Sequence, residues 1–134
     1  MADELTLKAH NPATIAAPAS RYSHAVEVRG PARWLHISGQ VGVRPDRTVP
    51  PDSETQMEVA WTNLLAILRE VGMSADNLVK ITTFITDAAD VGLVRTVRDR
   101  HLGTMTPAST LLVVSRLAHP DYRFELEAVA AAPV

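Results

Sequence analysis

The protein has 134 residues, of which 46% are hydrophobic and 21% are charged. These fractions are typical of a globular protein, and the length predicts a single domain over residues 1–134. The 13 Lys and Arg and 15 Asp and Glu leave a net charge of −2, which gives no electrostatic reason to expect a nucleic acid or an anionic membrane as a partner. The sequence has no cysteine, which excludes disulfides, thiolate zinc sites and cysteine nucleophiles.

The N-terminal residues show no targeting pattern. They begin Met-Ala-Asp-Glu, without the cationic stretch and apolar run of a signal peptide, and no apolar run in the chain reaches the length of a membrane helix. We therefore expect a cytoplasmic protein. Residues 11–20 are rich in Ala and Pro, so residues 1–20 are interpreted as an extended N-terminal arm rather than a helix.

The first two predicted strands flank a Gly-Pro turn. Residues 23–29 alternate in polarity up to Gly30, and residues 33–40 resume with Trp34, Leu35 and Ile37. Two short strands around such a turn predict a β-hairpin. The proline-rich residues 43–52 predict a loop.

A helix is predicted immediately after this loop. Ser53 and Gln56 have the spacing of a capping box. Seven apolar residues then recur at helical spacing: Met57, Ala60, Trp61, Leu64, Leu65, Leu68 and Val71. Gly72 supplies a left-handed stop, so this helix has one apolar face that must pack on another element.

A strand and a second helix follow. Residues 77–86 are rich in β-branched residues and predict a strand. Asp87 or Asp90 is expected to cap a helix that ends at Gly103. The core face of that helix is predicted to comprise Val91, Val94, Val97 or Arg98, and Leu102.

Two further strands complete the chain. Residues 109–117 include the run Leu111-Leu112-Val113-Val114, which is typical of a central strand buried on both faces. In residues 122–130, apolar positions alternate with Glu125 and Glu127, as in a strand with one polar face.

The predicted order, β-β-α-β-α-β-β, indicates an α/β sheet with two helices. Right-handed crossovers place both helices on the same face. No element is left to cover the other face, although residues 111–114 are apolar on both sides. We therefore expect that face to pack against other copies of the chain.

The sequence contains none of the common phosphate-binding or catalytic motifs, so the candidate residues stand alone. His24 and His36 lie on the two arms of the predicted hairpin, but two imidazoles make a weak metal site, and no metal is expected. Ser38 at a strand end is more typical of structure than of a nucleophile, because no base or acid is evident beside it.

Charged residues provide the other candidates. Glu125 and Glu127 are either a solvated strand face or, inside an assembly, groups that orient water. Arg95 on the polar side of the second helix and Arg116 after the apolar strand are able to bind a substrate carboxylate through a bidentate fork, although most such arginines are structural or solvated.

Several short segments occur in a specific order between residues 18 and 130. They are Tyr22-Ser23-His24-Ala25-Val26, Ile37-Ser38-Gly39-Gln40-Val41, Asn63-Leu64-Leu65-Ala66-Ile67-Leu68, Val79-Lys80-Ile81-Thr82-Thr83-Phe84 with Asp87 and Asp90, Pro107-Ala108-Ser109-Thr110, Arg116-Leu117, and Glu125-Leu126-Glu127-Ala128-Val129-Ala130. In this order and spacing they resemble the YjgF/RidA family, also called the reactive intermediate deaminase or L-PSP endoribonuclease-like family.

The resemblance implies a chorismate-mutase-like α/β fold assembled as a homotrimer, with clefts between subunits that take a small-molecule ligand. It also implies hydrolysis of enamines and imines, such as 2-aminoacrylate and 2-iminopropionate, to a 2-keto acid and ammonia. No cofactor is implied, because a protonated C=N bond is already electrophilic. The protein has to anchor the carboxylate, position a water and release ammonia.

The resemblance also assigns site residues. Tyr22 matches the family's cleft Tyr, and Ser38 with Gly39 matches its strand-end cleft segment. Glu125 matches the Glu credited with positioning the attacking water, so it is the expected catalytic residue.

Three positions depart from the family pattern. The family motif is Pro-Ala-Arg-Ser or Pro-Ala-Arg-Thr, so Ser109 replaces the Arg that grips the substrate carboxylate, which removes a contact of about 1.5–3 kcal/mol. Leu111 stands where a small polar residue is frequent, and Arg95 stands where Asn is frequent. Arg95 is a candidate to restore the lost charge from the helix.

We therefore expect an enamine/imine deaminase-like hydrolase that acts on a reactive imine other than the usual small 2-imino acids. Such an imine is less acidic or larger, and the neutral Ser109 and the apolar Leu111 favour a less charged ligand. The alternatives are a non-catalytic metabolite-binding or chaperone-like trimer on the same scaffold, and an ordinary imine deaminase with a substitute anchor. Ribonuclease activity has little support from a net charge of −2 and an aromatic content of 4%.

Overall fold

The computed structural model of the protein describes residues 4–134. Its elements are β1 (Thr6–His10), β2 (Ala25–Arg29), β3 (Arg33–Val41), α1 (Ser53–Glu70), β4 (Leu78–Ile85), α2 (Val91–Leu102), β5 (Ala108–Val113) and β6 (Phe124–Ala132). The predicted α/β class is confirmed. The order has one more strand than expected, since β1 lies inside the segment interpreted as an arm; residues 1–3 of that segment lie outside the described residues.

The strands form two sheets. β1 and β2 are an antiparallel pair, and the larger sheet has the order β3-β6-β4-β5. In this larger sheet β6 runs antiparallel to β3 and to β4, whereas β4 and β5 are parallel and are joined through α2.

The predicted hairpin is wrong, although both of its strands exist. β2 pairs with β1, and β3 pairs with β6 at the other end of the chain. β6 has nine residues, as β3 does, whereas β2 has only five. The longer partner satisfies more backbone groups of β3, and this pairing buries Ile37 in the core.

Both helices pack on one face of the larger sheet. The face of α1 that contains Met57, Trp61 and Leu64 is fully buried, as its periodicity predicts. On α2, the buried residues are Val94, Val97, Arg98 and Leu102. No helix within residues 4–134 is both long and apolar enough to cross a bilayer.

The start of α1 differs from the predicted capping box. Asp52, not Ser53, is the N-cap, and its carboxylate accepts hydrogen bonds from the backbone N–H of Thr55 at 2.9 Å and from the Thr55 hydroxyl at 2.7 Å. A carboxylate serves better than a hydroxyl here because the helix N-terminus carries positive partial charge. Gln56 is buried instead, and its amide bonds Pro50 O, Asp121 O and Arg123 N at 2.8–2.9 Å.

The interpretation of residues 109–117 as a central strand is wrong within one chain, because β5 is the edge of the larger sheet. Leu111 packs against the core, but the side chains of Leu112 and Val113 are 45% and 52% exposed. An apolar edge strand is normally covered in native proteins, so this edge is a candidate for contact with another copy.

Candidate functional site

A cavity of about 210 Å³ lies between α2, the beginning of β5 and the segment that precedes β2. Sites for drug-sized ligands occupy about 300–1,000 Å³, so this volume suits a small metabolite. Four of the seven predicted site residues, Tyr22, Arg95, Ser109 and Leu111, meet here. The cavity is completed by Ala19, Ser20 and Arg98.

The contribution of β5 follows from its register against β4. Ser109 pairs with Ile81 and Leu111 pairs with Thr83. Ile81 is fully buried under the helices, and directly paired residues point to the same face of a sheet. Ser109 and Leu111 therefore point to the helix-covered face, where α2 closes the cavity.

The segment that carries Tyr22 is attached to the beginning of β5. The backbone N–H of Ser23 donates to Pro107 O at 3.2 Å, and the Ser23 hydroxyl donates to Thr106 O at 2.5 Å. Arg21 donates to the carbonyl of Gly103 at the end of α2. These bonds hold residues 20–23 against two elements at once and so place Tyr22 beside Ser109.

Arg98 is the functional candidate that the sequence analysis missed. It is only 6% exposed; its Nε donates to Asp99 Oδ1 at 3.0 Å, and its Nη1 donates to Ser20 Oγ at 3.4 Å. Its Nη2 is buried, with no hydrogen-bond partner among the described residues. A charged residue at a core-facing helix position was the available signal, because arginine is almost never fully buried without a partner.

The cavity carries an excess of positive charge. Arg95 and Arg98 line it, and Arg21 lies 3.6 Å from Asp99, the carboxylate that also pairs with Arg98. The carboxylate of Asp99 is thus shared by the guanidinium groups of Arg98 and Arg21. Arg95 adds a third guanidinium group to this region. Ser109 contributes no charge, so the cations come from α2 and the arm rather than from β5.

Glu125 lies elsewhere, over the backbone of Gly39. A Cβ atom placed on Gly39 would be 1.8 Å from Glu125 Oε2, so the carboxylate group occupies that space. Gly39 lies where the register between β3 and β6 shifts, between Ile37 and Gln40. Next to it, Ser38 is exposed and its carbonyl accepts from Gln40 Nε2 at 3.0 Å.

The two groups of predicted residues lie on opposite faces of the larger sheet. Glu125 pairs with Phe84, whereas Ser109 pairs with Ile81. Phe84 and Ile81 are an odd number of positions apart on β4, and successive strand residues point to opposite faces. Within one chain, therefore, Glu125, Gly39 and Ser38 do not share the cavity of Tyr22, Arg95 and Ser109.

The remaining candidates lie outside both groups. Arg116 is exposed after β5, and its Nε donates to Leu117 O at 3.5 Å. His24 bonds the carbonyl of Ala16 at 2.7 Å, and His36 lies on β3, which β2 does not pair with. Glu127 is exposed. Within residues 4–134 no cluster of three or more His, Cys, Asp or Glu side chains is arranged to hold a metal ion.

The chain is similar to proteins of one family along nearly its whole length. The family model for endoribonuclease L-PSP matches residues 13–132. A RutC family protein of Pyrococcus abyssi is 31% identical over 115 residues, which cover 84% of this chain and 87% of that protein. The 2-iminobutanoate/2-iminopropanoate deaminase of Mus musculus is 35% identical over 121 residues, which cover 87% of each chain.

Solved structures agree with this assignment. The Rid family protein YyfB of Yersinia pestis has a TM-score of 0.83 at 27% identity, covering 92% of this chain and 97% of that one. RidA of an Antarctic Psychrobacter species has a TM-score of 0.70 at 28% identity, covering 85% and 90%. On the match over residues 13–132 and the shared α/β fold, the chain belongs to the endoribonuclease L-PSP family, which includes the RutC and RidA/YjgF proteins.

Proposed function

We propose that the protein is a cofactor-independent hydrolase of reactive imines or enamines, with clefts built between the subunits of a homotrimer. The observation that carries this proposal is the meeting of Tyr22, Arg95 and Ser109 at one small cavity with excess positive charge. The similarity to a 2-iminobutanoate/2-iminopropanoate deaminase supports the same class of reaction.

The separation of the two residue groups supports the trimer. Glu125 lies on the sheet face away from the helices, and the Tyr22 cavity lies at the opposite face beside the edge strand β5. We propose that a second copy covers the exposed Leu112 and Val113 with its Glu125-bearing sheet face, so that its Glu125 lies at that edge. Contact between copies would thus bury the apolar edge and complete the site.

The proposed chemistry needs one water and no cofactor. Glu125 accepts a hydrogen bond from the water and orients its oxygen toward the carbon of the C=N bond. As the C–O bond forms, protons pass to the nitrogen, and the C–N bond then breaks to release ammonia. One imine and one water thus give one carbonyl compound and one ammonia.

The substrate we propose is an imine other than the usual small 2-imino acids. Ser109 places no cation next to the position where the family's Arg binds a 2-carboxylate. The cations of this cavity lie on α2, and Leu111 adds an apolar wall. Because Arg95 and Arg98 line the cavity, we propose a longer imine rather than the less charged ligand that Ser109 and Leu111 alone favour, and this arrangement suits it better than 2-iminopropionate. The neutral Ser109 also favours the alternative, a metabolite-binding trimer without catalysis.

The test is hydrolysis of imines generated in situ by an amino-acid oxidase. Wild type, Ser109→Arg and Glu125→Gln are compared on 2-iminopropionate and on the longer 2-iminoglutarate. We expect wild type to hydrolyse the longer imine faster, and Ser109→Arg to gain about tenfold or more on 2-iminopropionate, because it restores a bidentate contact. Glu125→Gln should be inactive on both.

Two outcomes would contradict the proposal. If wild type hydrolyses 2-iminopropionate as fast as Ser109→Arg does, the protein is an ordinary imine deaminase with a substitute anchor. If neither protein accelerates either imine while wild type still binds the product keto acids, the non-catalytic alternative replaces it.

A further inference from the structure

We propose that Arg98, together with Arg95, binds a second carboxylate of the substrate, remote from the reacting C=N carbon. This inference names the substrate class for the proposed function and rests on it only for turnover, because the binding of a carboxylate is measured separately. The imines of dicarboxylic amino acids are the class that it predicts.

The buried state of Arg98 is the first observation. The residue is 6% exposed, and it lines the cavity, yet its Nη2 has no partner among the described residues. Buried N–H groups in native proteins are paired with few exceptions. Nη2 itself is enclosed by protein, but the guanidinium group that carries it belongs to a residue that lines the cavity. Arg98 therefore retains hydrogen-bonding capacity that the described residues do not use and that a ligand in the cavity is able to use.

The charge balance is the second observation. Asp99 is shared between Arg98 at 3.0 Å and Arg21 at 3.6 Å, so it neutralises only part of this positive charge. Among residues 4–134 no carboxylate lies within ion-pair distance of Arg95. Arg95 and Arg98 are three residues apart on α2 and therefore neighbours on its surface, with Cβ atoms about 5–6 Å apart.

The shape of the guanidinium group selects the ligand. Its planar fork matches the two oxygens of a carboxylate. The half-buried Tyr22 lines the same cavity, and its hydroxyl oxygen accepts from the backbone N–H of Ala19 at 3.4 Å. Both arginines lie on α2 rather than on β5, so the carboxylate they hold lies away from the position of Ser109. Leu111, which lines the same cavity, suits the methylene groups between the two ends of such a substrate.

The test is calorimetric binding of two product-like keto acids that undergo no turnover. 2-Oxoglutarate carries the second carboxylate, and 2-oxopentanoate has a methyl group in its place. We expect wild type to bind 2-oxoglutarate about tenfold or more tightly than 2-oxopentanoate. Arg98→Met should reduce this ratio to about one, and Arg95→Met should reduce it in part.

Arg100→Met is the matched control. Arg100 lies on the same helix but pairs with Glu54 and Glu58 at 3.0 Å, away from the cavity, so its removal should leave the ratio unchanged. If Arg98→Met fails to fold, Arg98→Lys keeps the charge and the aliphatic stem but loses the fork, and a roughly threefold or larger fall in the ratio is then expected.

The proposal is overturned if wild type does not discriminate between the two keto acids, or if Arg98→Met keeps the wild-type ratio. If Arg98→Met keeps the ratio and dissociates the oligomer in sedimentation, Arg98 binds another copy rather than a ligand. If no imine is hydrolysed but the binding ratios are as expected, the proposed function is rejected and the proposed carboxylate site is retained.

Discussion

The carboxylate of Glu125 occupies the space that a side chain at Gly39 would need. A Cβ atom on Gly39 would lie 1.8 Å from Glu125 Oε2 and 2.7 Å from its Cδ. Gly39 is therefore required less for its backbone freedom than for its missing side chain. It allows the proposed catalytic carboxylate to lie against the β3 backbone.

Gly39→Ala should lower the activity of the protein but leave its stability nearly unchanged. The atoms it would meet belong to the far end of a flexible side chain, so Glu125 is able to turn away at little cost. We expect kcat/KM on the preferred imine to fall about tenfold or more, because a displaced carboxylate no longer orients the water, while the urea midpoint changes little. Wild-type kcat/KM in this variant would show that the position of Glu125 is unimportant.

Gly42→Ala, unlike Gly39→Ala, should lower the stability of the protein. A Cβ atom on Gly42 would lie 2.6 Å from the Cα and 2.7 Å from the carbonyl oxygen of Gln56. These are backbone atoms of α1, which cannot move without disturbing the buried amide of Gln56. We expect the free energy of unfolding to fall by about 1–3 kcal/mol, measured by urea denaturation. A midpoint equal to that of Gly39→Ala would contradict this account.

Mixing two inactive variants tests whether the cleft is shared between subunits. Glu125→Gln and Arg95→Glu are each expected to inactivate one side of the cleft. If the two sides come from neighbouring copies, subunits mixed in equal amounts by joint refolding should recover about a quarter of wild-type activity, because one cleft in four has both sides intact. Each variant refolded alone is the control, and no recovery in the mixture would contradict a cleft shared between subunits.

The carboxylate of Asp52 should stabilise the protein at neutral pH, and this stabilisation should be lost in acid. The hydrogen bonds that its carboxylate accepts from the backbone N–H and hydroxyl of Thr55 hold the pKa of Asp52 below its usual value. A carboxyl group whose pKa is lower in the folded state stabilises the protein above its unfolded pKa, about 3.9, and this stabilisation is lost as the pH falls through the folded pKa.

Asp52→Asn should therefore have a lower urea midpoint than wild type at pH 7, and the difference should shrink as the pH falls below about 4. Asp90→Asn is the control, because Asp90 is the N-cap of α2 but makes no side-chain hydrogen bond there. A difference between wild type and Asp52→Asn that is the same at pH 3 and pH 7 would rule out the carboxylate as its cause.

Local patterns predicted most of the elements. The apolar recurrence from Met57 to Leu68 predicted the buried face of α1, and the alternation around Glu125 predicted the two faces of β6. Both depend on the fixed periods of helix and strand, which are properties of neighbouring residues. The family segments identified Tyr22, Ser109 and Leu111, which the cavity brings together.

The sequence by itself thus determined most of the elements, the buried face of α1, the two faces of β6 and the family. Only the tertiary structure decided that β3 pairs with β6 rather than β2, because distant segments compete for the same backbone donors and acceptors. The strand registers likewise set Glu125 and Ser109 on opposite faces. Arg98 lines the cavity because residues 19–22 fold against α2. These two segments are nearly 80 residues apart in the chain, so no local periodicity predicts their contact.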